Sequence, residues 1–269
     1  MEYPYYFVLK RTLLCLPSLQ IFFMTDSTTQ FDQIVKGRRS MRVFDAEKPF
    51  DSNAVLRSIQ RSLLAPNSSK MQMWEFYHVK SEDKLKVISK FCMNQSAART
   101  AREMIIIVIP KKKYKQRAAS NYAFHHARYN NKPEKELTKR EQRRLKYYSQ
   151  LMLFYYFQDW FGIAGMIRKL VVSVASFWRP VVWQVSKNDL RVVCHKSAAL
   201  AAQTFMLSMK AEGYDTCPME GFDSHKLKRY LKFPSSYEIN MIISCGPGTE
   251  QGLYHEQFRV PEEEVIFTL

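Results

Sequence analysis

The sequence predicts an α+β fold in which helices outnumber strands. Segments with apolar residues at helical spacing dominate the chain, while only 73–80, 104–110 and 237–246 read as strands. No tract of the 269 residues has the composition of an interdomain linker. We therefore expect residues 24–269 to form one domain, interrupted by an insertion over about 111–187. With 46% hydrophobic and 14% aromatic residues, the chain is too rich in core formers to be mainly disordered.

Residues 30–36 place Phe31, Ile34 and Val35 on one helical face. A basic turn, GRRSMRVF, follows at 37–44. Residues 52–64 read as a helix that Ser52 can cap, with Val55, Leu56, Ile59 and Leu63 in register. A polar loop at 65–72 leads into the alternating strand 73–80. Helices are expected at 82–91 and 95–103, then a fully buried strand in the apolar run 104–110. Residues 111–150 are polar and basic with helical composition toward their end, and 151–185 are apolar and aromatic. A long helix at 188–211 carries Ala198, Ala199, Ala201 and Ala202, which permit close backbone approach, and Gly213 suits its C-terminal cap. The sequence CPMEGFD at 217–223 reads as a turn into a helix at 224–231; the strand 237–246 and an extended tail, 252–269, complete the chain.

Residues 1–23 only superficially resemble an export signal. Pro17 interrupts their apolar run, and no small-x-small cleavage site follows. Met24 opens a polar stretch, Thr25 to Thr28, that suits a helix start, so 1–23 reads as an upstream extension of Met24. The run is too short to span a bilayer, which needs about 20 apolar residues.

The formal net charge is +16, and residues 110–150 alone hold thirteen Lys/Arg against three Glu. Such a balance attracts an anionic partner: nucleic acid, anionic lipid or a phosphate-bearing ligand. Five scattered cysteines without a C-x-x-C predict reduced, buried thiols, a cytoplasmic setting and no cysteine metal site. With eight glycines and neither G-x-G-x-x-G nor G-x-x-x-x-G-K-[ST], the chain lacks the Rossmann and P-loop phosphate signatures.

Three short motifs carry chemistry. Arg38-Arg39-Ser40 and Arg42 offer guanidinium groups that bind phosphate through charge-assisted hydrogen bonds, with a hydroxyl among them. The loop 65–72 offers the amides Asn67 and Gln72, the hydroxyls Ser68 and Ser69 and the ammonium of Lys70, a set able to read the edge of a polar heterocycle. In PMEGFD, Gly221 allows backbone to approach a flat ligand. Each alone is also an ordinary surface turn or loop.

In this order, the motifs resemble those of the FMN-dependent nitroreductase family: R-R-S-x-R-x-F, then A/S-P-S-x-x-N-x-Q-P-W, then P-x-E-G-F-D, a strand ending in glycine and a basic tail. Here the last two correspond to ISCG at 243–246 and LYHEQFRVP at 253–261. The resemblance covers about 30–110 and 188–269. It implies an α+β fold with a central, mostly antiparallel sheet flanked by helices, in an intertwined homodimer with two FMN sites at the subunit interface. Arg38, Ser40 and Arg259 would hold the phosphate, Arg39 would add charge, and Arg42 would follow the ribityl chain or pyrimidine edge. Asn67, Ser68, Lys70 and Gln72 belong to the cofactor-binding set, the first three reaching in from the partner subunit. Glu220 and Gly221 would present backbone to the N5/O4 side of the flavin.

The resemblance further implies hydride transfer from NADH or NADPH through flavin N5 to a nitroaromatic, quinone or related small-molecule acceptor, with ping-pong kinetics. The flavin carries that chemistry, so no catalytic triad is assigned. Two positions depart from the family pattern. Lys70 replaces the usual asparagine and Met73 the proline before Trp74. Lys70 would favour the anionic reduced flavin and raise its potential.

The insertion at 111–187 reads first as a helical excursion over the site. Its sharper reading is peripheral contact with an anionic membrane at the inner face: Lys111 to Lys113, Lys139, Arg140, Arg143, Arg144 and Lys146 would meet lipid headgroups. Phe154, Tyr155, Tyr156, Trp160, Phe161, Phe177 and Trp178 would lie at the interface. The alternatives are a degenerate flavin binder and a protein acting through its basic insertion on membrane or nucleic acid; the lack of a recognisable nucleic-acid motif disfavours the last. Surface positions are expected for His125 and His126, and a structural role for Cys194 and His195.

Overall fold

The computed structural model describes residues 17–159 and 161–269. They belong to two units that divide between Gly37 and Arg38. The first contributes one helix, α1 (Pro17–Gly37). The segment predicted at 30–36 is the end of α1, where Phe31 and Val35 are exposed and Lys36 pairs with Asp32 at 3.0 Å. Residues 25–28 lie within α1 rather than at its start. The reading of residues 1–16 falls outside the described residues.

The second unit runs α2 (Ser52–Ser62), β1 (Glu75–Val79), α3 (Glu82–Phe91), α4 (Ser96–Arg99), β2 (Glu103–Pro110), α5 (Tyr114–Arg128) and α6 (Lys139–Lys146). After a π-turn at Tyr147–Leu151 come α7 (Met152–Tyr156), α8 (Ile163–Ala175), α9 (Lys187–Ala211), β3 (Asp215–Met219), α10 (Ser224–Tyr230) and β4 (Tyr237–Gly246). The strands form one sheet in the order β1-β2-β4-β3, and every neighbour is antiparallel.

Strand periodicity explains the layers. Side chains alternate across a sheet, so a strand covered on both faces must be apolar throughout. β2 is buried at all its positions. Ile105, Ile107 and Ile109 share one core with Ala198, Ala201, Ala202 and Phe205 of α9. Met104, Ile106 and Val108 point the other way, into a core with Ile88 of α3 and Leu227 of α10. The alanines of α9 let that helix lie close to the sheet.

Two elements differ from the sequence reading. The expected turn at 217–223 begins as strand β3, and only Glu220 onward turns. Pro218 hid it, because proline donates no ladder hydrogen bond; β3 tolerates it at the end of the sheet. The expected helix 95–103 is a single turn, α4. Arg102 N donates to Cys245 O at 3.1 Å, drawing the chain into the sheet before helical propensity can extend the turn.

The region 111–185 is largely helical. Thr138 and Glu141 form a capping box on α6, and the Asp159 carboxylate caps α8 by accepting from Ile163 N at 2.8 Å and Ala164 N at 2.9 Å. No helix among the described residues is long and apolar enough to cross a membrane. Several residues expected at a lipid surface are engaged elsewhere. Tyr156 is buried, Lys111 pairs with Glu238, Lys113 with Glu75 and Lys146 with Glu134. Phe161, Phe177 and Trp178 are exposed. His125 is buried rather than on the surface, with its ring stacked 5.4 Å from that of Tyr148. Burial and the cations Arg144, Lys70 and Arg128 lower its pKa.

Glu212, just past α9, ties that helix to α2 by accepting from Arg57 at 2.6 Å and Arg61 at 2.5 Å. The Arg57 hydrogen bond leads in holding its carboxyl down at about 2, against an ordinary 4.5. The stabilisation is therefore complete above pH 4.5 and is lost as pH falls toward 2. Thermal melts across this range should show acid destabilisation in the wild type that is shallower in Glu212→Gln.

Candidate functional site

The basic turn is not a free surface loop. Ser40 bridges to Thr216 of β3, Met41 N donates to Thr216 O at 3.0 Å, and Arg42 N donates to Gly252 O at 2.9 Å. The segment is thus clamped between β3 and the arm that follows β4. Gly252 permits the approach: a Cβ there would sit 2.3 Å from Met41 Sδ and 2.7 Å from Val43 O. Arg39 Nη2 donates to His255 O at 2.5 Å, holding the arm further along.

These contacts bring Arg38, Arg39, Ser40, Arg42 and Arg259 around one pocket of about 250 Å³. Glu256 is the single acidic residue in its lining. Burial, then Arg259, then Arg39 lower the pKa of the Arg38 guanidinium. Like charges are being held together without enough counter-charge, so the pocket favours an anion. Arg42 and Arg38 also lie near the Cys217 thiol, but burial outweighs them and pushes its pKa up. Cys217 is therefore a buried thiol, as are Cys92, Cys194 and Cys245.

The second motif stands elsewhere in the same chain. Asn67, Lys70 and Gln72 line an open depression with Ser120 and Asn121 of α5, whereas Ser68 lines a cavity beneath α8. The loop is strained: Ser69, Lys70 and Gln72 have φ of 54°, 55° and 44°. Left-handed backbone at such residues costs of order 1–3 kcal/mol each and persists only where surroundings enforce it. Here Asn67 Oδ1 accepts from Gln72 N at 2.8 Å, Asn121 donates to Lys70 O at 3.1 Å, and the hydroxyls of Ser69 and Tyr147 lie 2.6 Å apart. The π-turn supplies Tyr147, while buried Met71, Met73 and Trp74 anchor the loop in the core.

Glu220 and Gly221 are exposed just past β3. Gly221 O accepts from Gln95 Nε2 at 2.8 Å, which fixes the turn. Glu220 lines a depression with His195 and Asn240. Asn240 donates to His195 Nδ1 at 3.0 Å, and His195 Nε2 lies 2.9 Å from Glu238, so His195 is part of a polar network on the sheet. Burial would raise the Glu238 carboxyl, but His195 and Lys111 hold it down at about 2.

Sequence comparison decides the family. The family model described as the nitroreductase family matches residues 35–247. The chain belongs to the nitroreductase family. MhqN of Bacillus subtilis, whose name places it among NAD(P)H nitroreductases, is 38% identical over 71 residues, 26% of this chain and 34% of that protein. The matched segment thus spans about a third of that curated relative. Solved nitroreductase-fold structures align more widely. YdfN from Bacillus subtilis gives a TM-score of 0.67 at 21% identity, covering 90% of this chain and all of that one. A structure from Exiguobacterium sibiricum in complex with FMN gives 0.61 at 21% identity, covering 89% and 97%. These place the antiparallel sheet and its helical layers in the nitroreductase fold.

Sequence reading did not find Gly252, Thr216 or His255, which hold the arginine pocket together through backbone contacts. The only sequence signal for them is a glycine between a strand and a basic tail.

Proposed function

We propose that this nitroreductase-family protein is an FMN-dependent oxidoreductase that takes reducing equivalents from NADH or NADPH and delivers them to a nitroaromatic or quinone acceptor in a ping-pong sequence. The convergence of Arg38, Arg39 and Arg259 with Ser40 on one pocket carries this reading. A phosphate dianion there would offset the burial, and the repulsion from Arg259 and Arg39, that lower the Arg38 pKa. From Thr216, beside Ser40, to Glu220 the extended chain covers about 13 Å, so a ligand with its phosphate at the arginines can lie along β3 with its ring at Glu220 and Gly221. The FMN-bound neighbour and the NAD(P)H nitroreductase name of MhqN support the cofactor and the reductant.

A second copy of the chain completes the site in this reading. Asn67, Lys70 and Gln72 do not line the arginine pocket of their own chain, and Leu63, Leu64 and Phe124 beside them are exposed. An apolar rim around a strained polar loop suits burial in a homodimer. FMN, when bound, supplies the two-electron chemistry. This chain's residues bind and orient: the arginines and Ser40 hold the phosphate, Glu220 and Gly221 present backbone to the ring, Asn67, Ser68 and Lys70 reach in from the other subunit, and Gln72 belongs to the same cofactor-binding set. Double-reciprocal plots of initial rate against NADPH, at several fixed concentrations of a quinone such as menadione, should give parallel lines. Intersecting lines would exclude the ping-pong order, and absence of turnover with every nitroaromatic and quinone tried would exclude the activity.

Lys70 allows a separate test. Asparagine tolerates the left-handed backbone that Lys70 adopts at φ 55°, so Lys70→Asn should fold unchanged. Removing the cation is expected to lower the reduction potential of the bound flavin, as measured by equilibration with a reference dye. An unchanged potential would place Lys70 away from the ring.

A further inference from the structure

We propose that the cavity beneath α8 is a binding site for an amphipathic carboxylate, an apolar chain of about a dozen carbons ending in an anionic head. The cavity measures about 520 Å³, within the usual range for a small-molecule site. Val171, Val172 and Ala175 of α8 face Val181 and Val182 of the segment that folds back beneath it, giving mainly apolar walls.

Two guanidinium groups line the same space, and no acidic residue does. Arg168 is 2% exposed. Its Nε donates to Val185 O at 2.8 Å, and its Nη1 to Phe157 O at 2.8 Å and Phe154 O at 3.1 Å. Among the described residues its Nη2 makes no hydrogen bond. Asp159 acts on this charge from nearby, but its carboxylate caps α8. Arg179 stands exposed at the rim and makes no ion pair among the described residues.

The combination selects the ligand class. A neutral hydrocarbon would fill the walls but leave the exposed Arg179 guanidinium unanswered, whereas Arg168 already donates to three carbonyls. A small inorganic anion would answer Arg179 but leave the apolar walls wet. An amphipathic anion does both, with its head at Arg179 in contact with water and its chain inside. The hydroxyls of Ser69 and Tyr147, both in the lining, offer further polar contact along one wall.

The test is calorimetric titration of the full chain, as purified, with dodecanoate, dodecanol and dodecyltrimethylammonium, each below its micellar concentration. It reads binding alone, so it stands whether or not flavin turnover is found. Dodecanoate should bind once per chain, at least tenfold more tightly than dodecanol, and the cation should not bind. Arg179→Gln should abolish the preference for carboxylate over alcohol. Ala175→Phe should remove binding of both; if circular dichroism shows that it misfolds, Val171→Trp, at an exposed position on the same wall, takes its place. No binding of dodecanoate, equal binding of acid and alcohol, an unchanged preference in Arg179→Gln, or unaffected binding in a folded wall variant would each overturn the assignment.

Discussion

Arg38→Ala is expected to weaken FMN binding by about thirty- to a hundredfold, the equivalent of roughly 2–3 kcal/mol for a hydrogen bond between charged partners. Arg38 is the most informative of the arginines in its pocket. It is partly buried and crowded by Arg259 and Arg39, so its charge is held at a disadvantage until an anion arrives. The same crowding predicts opposite effects on the protein without ligand. Arg259→Gln should also weaken FMN binding, yet it removes a like charge from Arg38 and should leave thermal stability without flavin equal or higher. That pairing of lost affinity with retained stability is the expected signature of a ligand site. A purely structural arginine would lose both together. Thermal melts with and without FMN, beside fluorescence titrations, measure the two effects in one preparation.

Arg168→Met is expected to destabilise the protein by about 3–5 kcal/mol, because three backbone carbonyls lose their donor at roughly 1–3 kcal/mol for each one left buried and unpaired. For a domain of this size, this lowers the melting temperature by roughly 10 °C. Arg168 ties Phe154 and Phe157, at the end of α7, to Val185, just before α9. Methionine fills most of the volume but takes a donor away from three carbonyls at once. Arg168→Lys should not rescue it, because a single ammonium lacks the planar fork that spans those acceptors. If Lys restores the wild-type melting temperature, charge alone matters and the geometric account of Arg168 is wrong. The loss should be larger than that of any surface charge in the basic region, such as Arg140.

Much of this architecture is legible in the sequence because it rests on periodicity. β2 is an unbroken apolar run, as a strand buried on both faces must be, and α9 announces itself through its alanines and helical spacing. Pro218 hides β3 from a reading of periodicity, and helical composition overstates α4 because backbone pairing at Arg102 overrides it. The candidate site is legible in part for a similar reason. Arg38, Arg39, Ser40 and Arg42 are neighbours in sequence, so their grouping is local. That Arg259 joins them depends on backbone bonds from Met41 and Arg42 to Thr216 and Gly252, long-range contacts that no local pattern encodes. The strained backbone at Ser69, Lys70 and Gln72 was equally invisible, since none of the three is a glycine. His125 shows the converse: an adjacent pair of histidines reads as surface, but stacking on Tyr148 turns one of them inward.

The central claim is that the arginine pocket holds the phosphate of a flavin. Fluorescence titration of flavin-free protein with FMN and with riboflavin, which lacks only the phosphate, tests it most directly. The account predicts that FMN binds at least a hundredfold more tightly than riboflavin, and that Arg38→Ala narrows the gap by weakening FMN alone. Equal affinity for the two, or no binding of either, would contradict it.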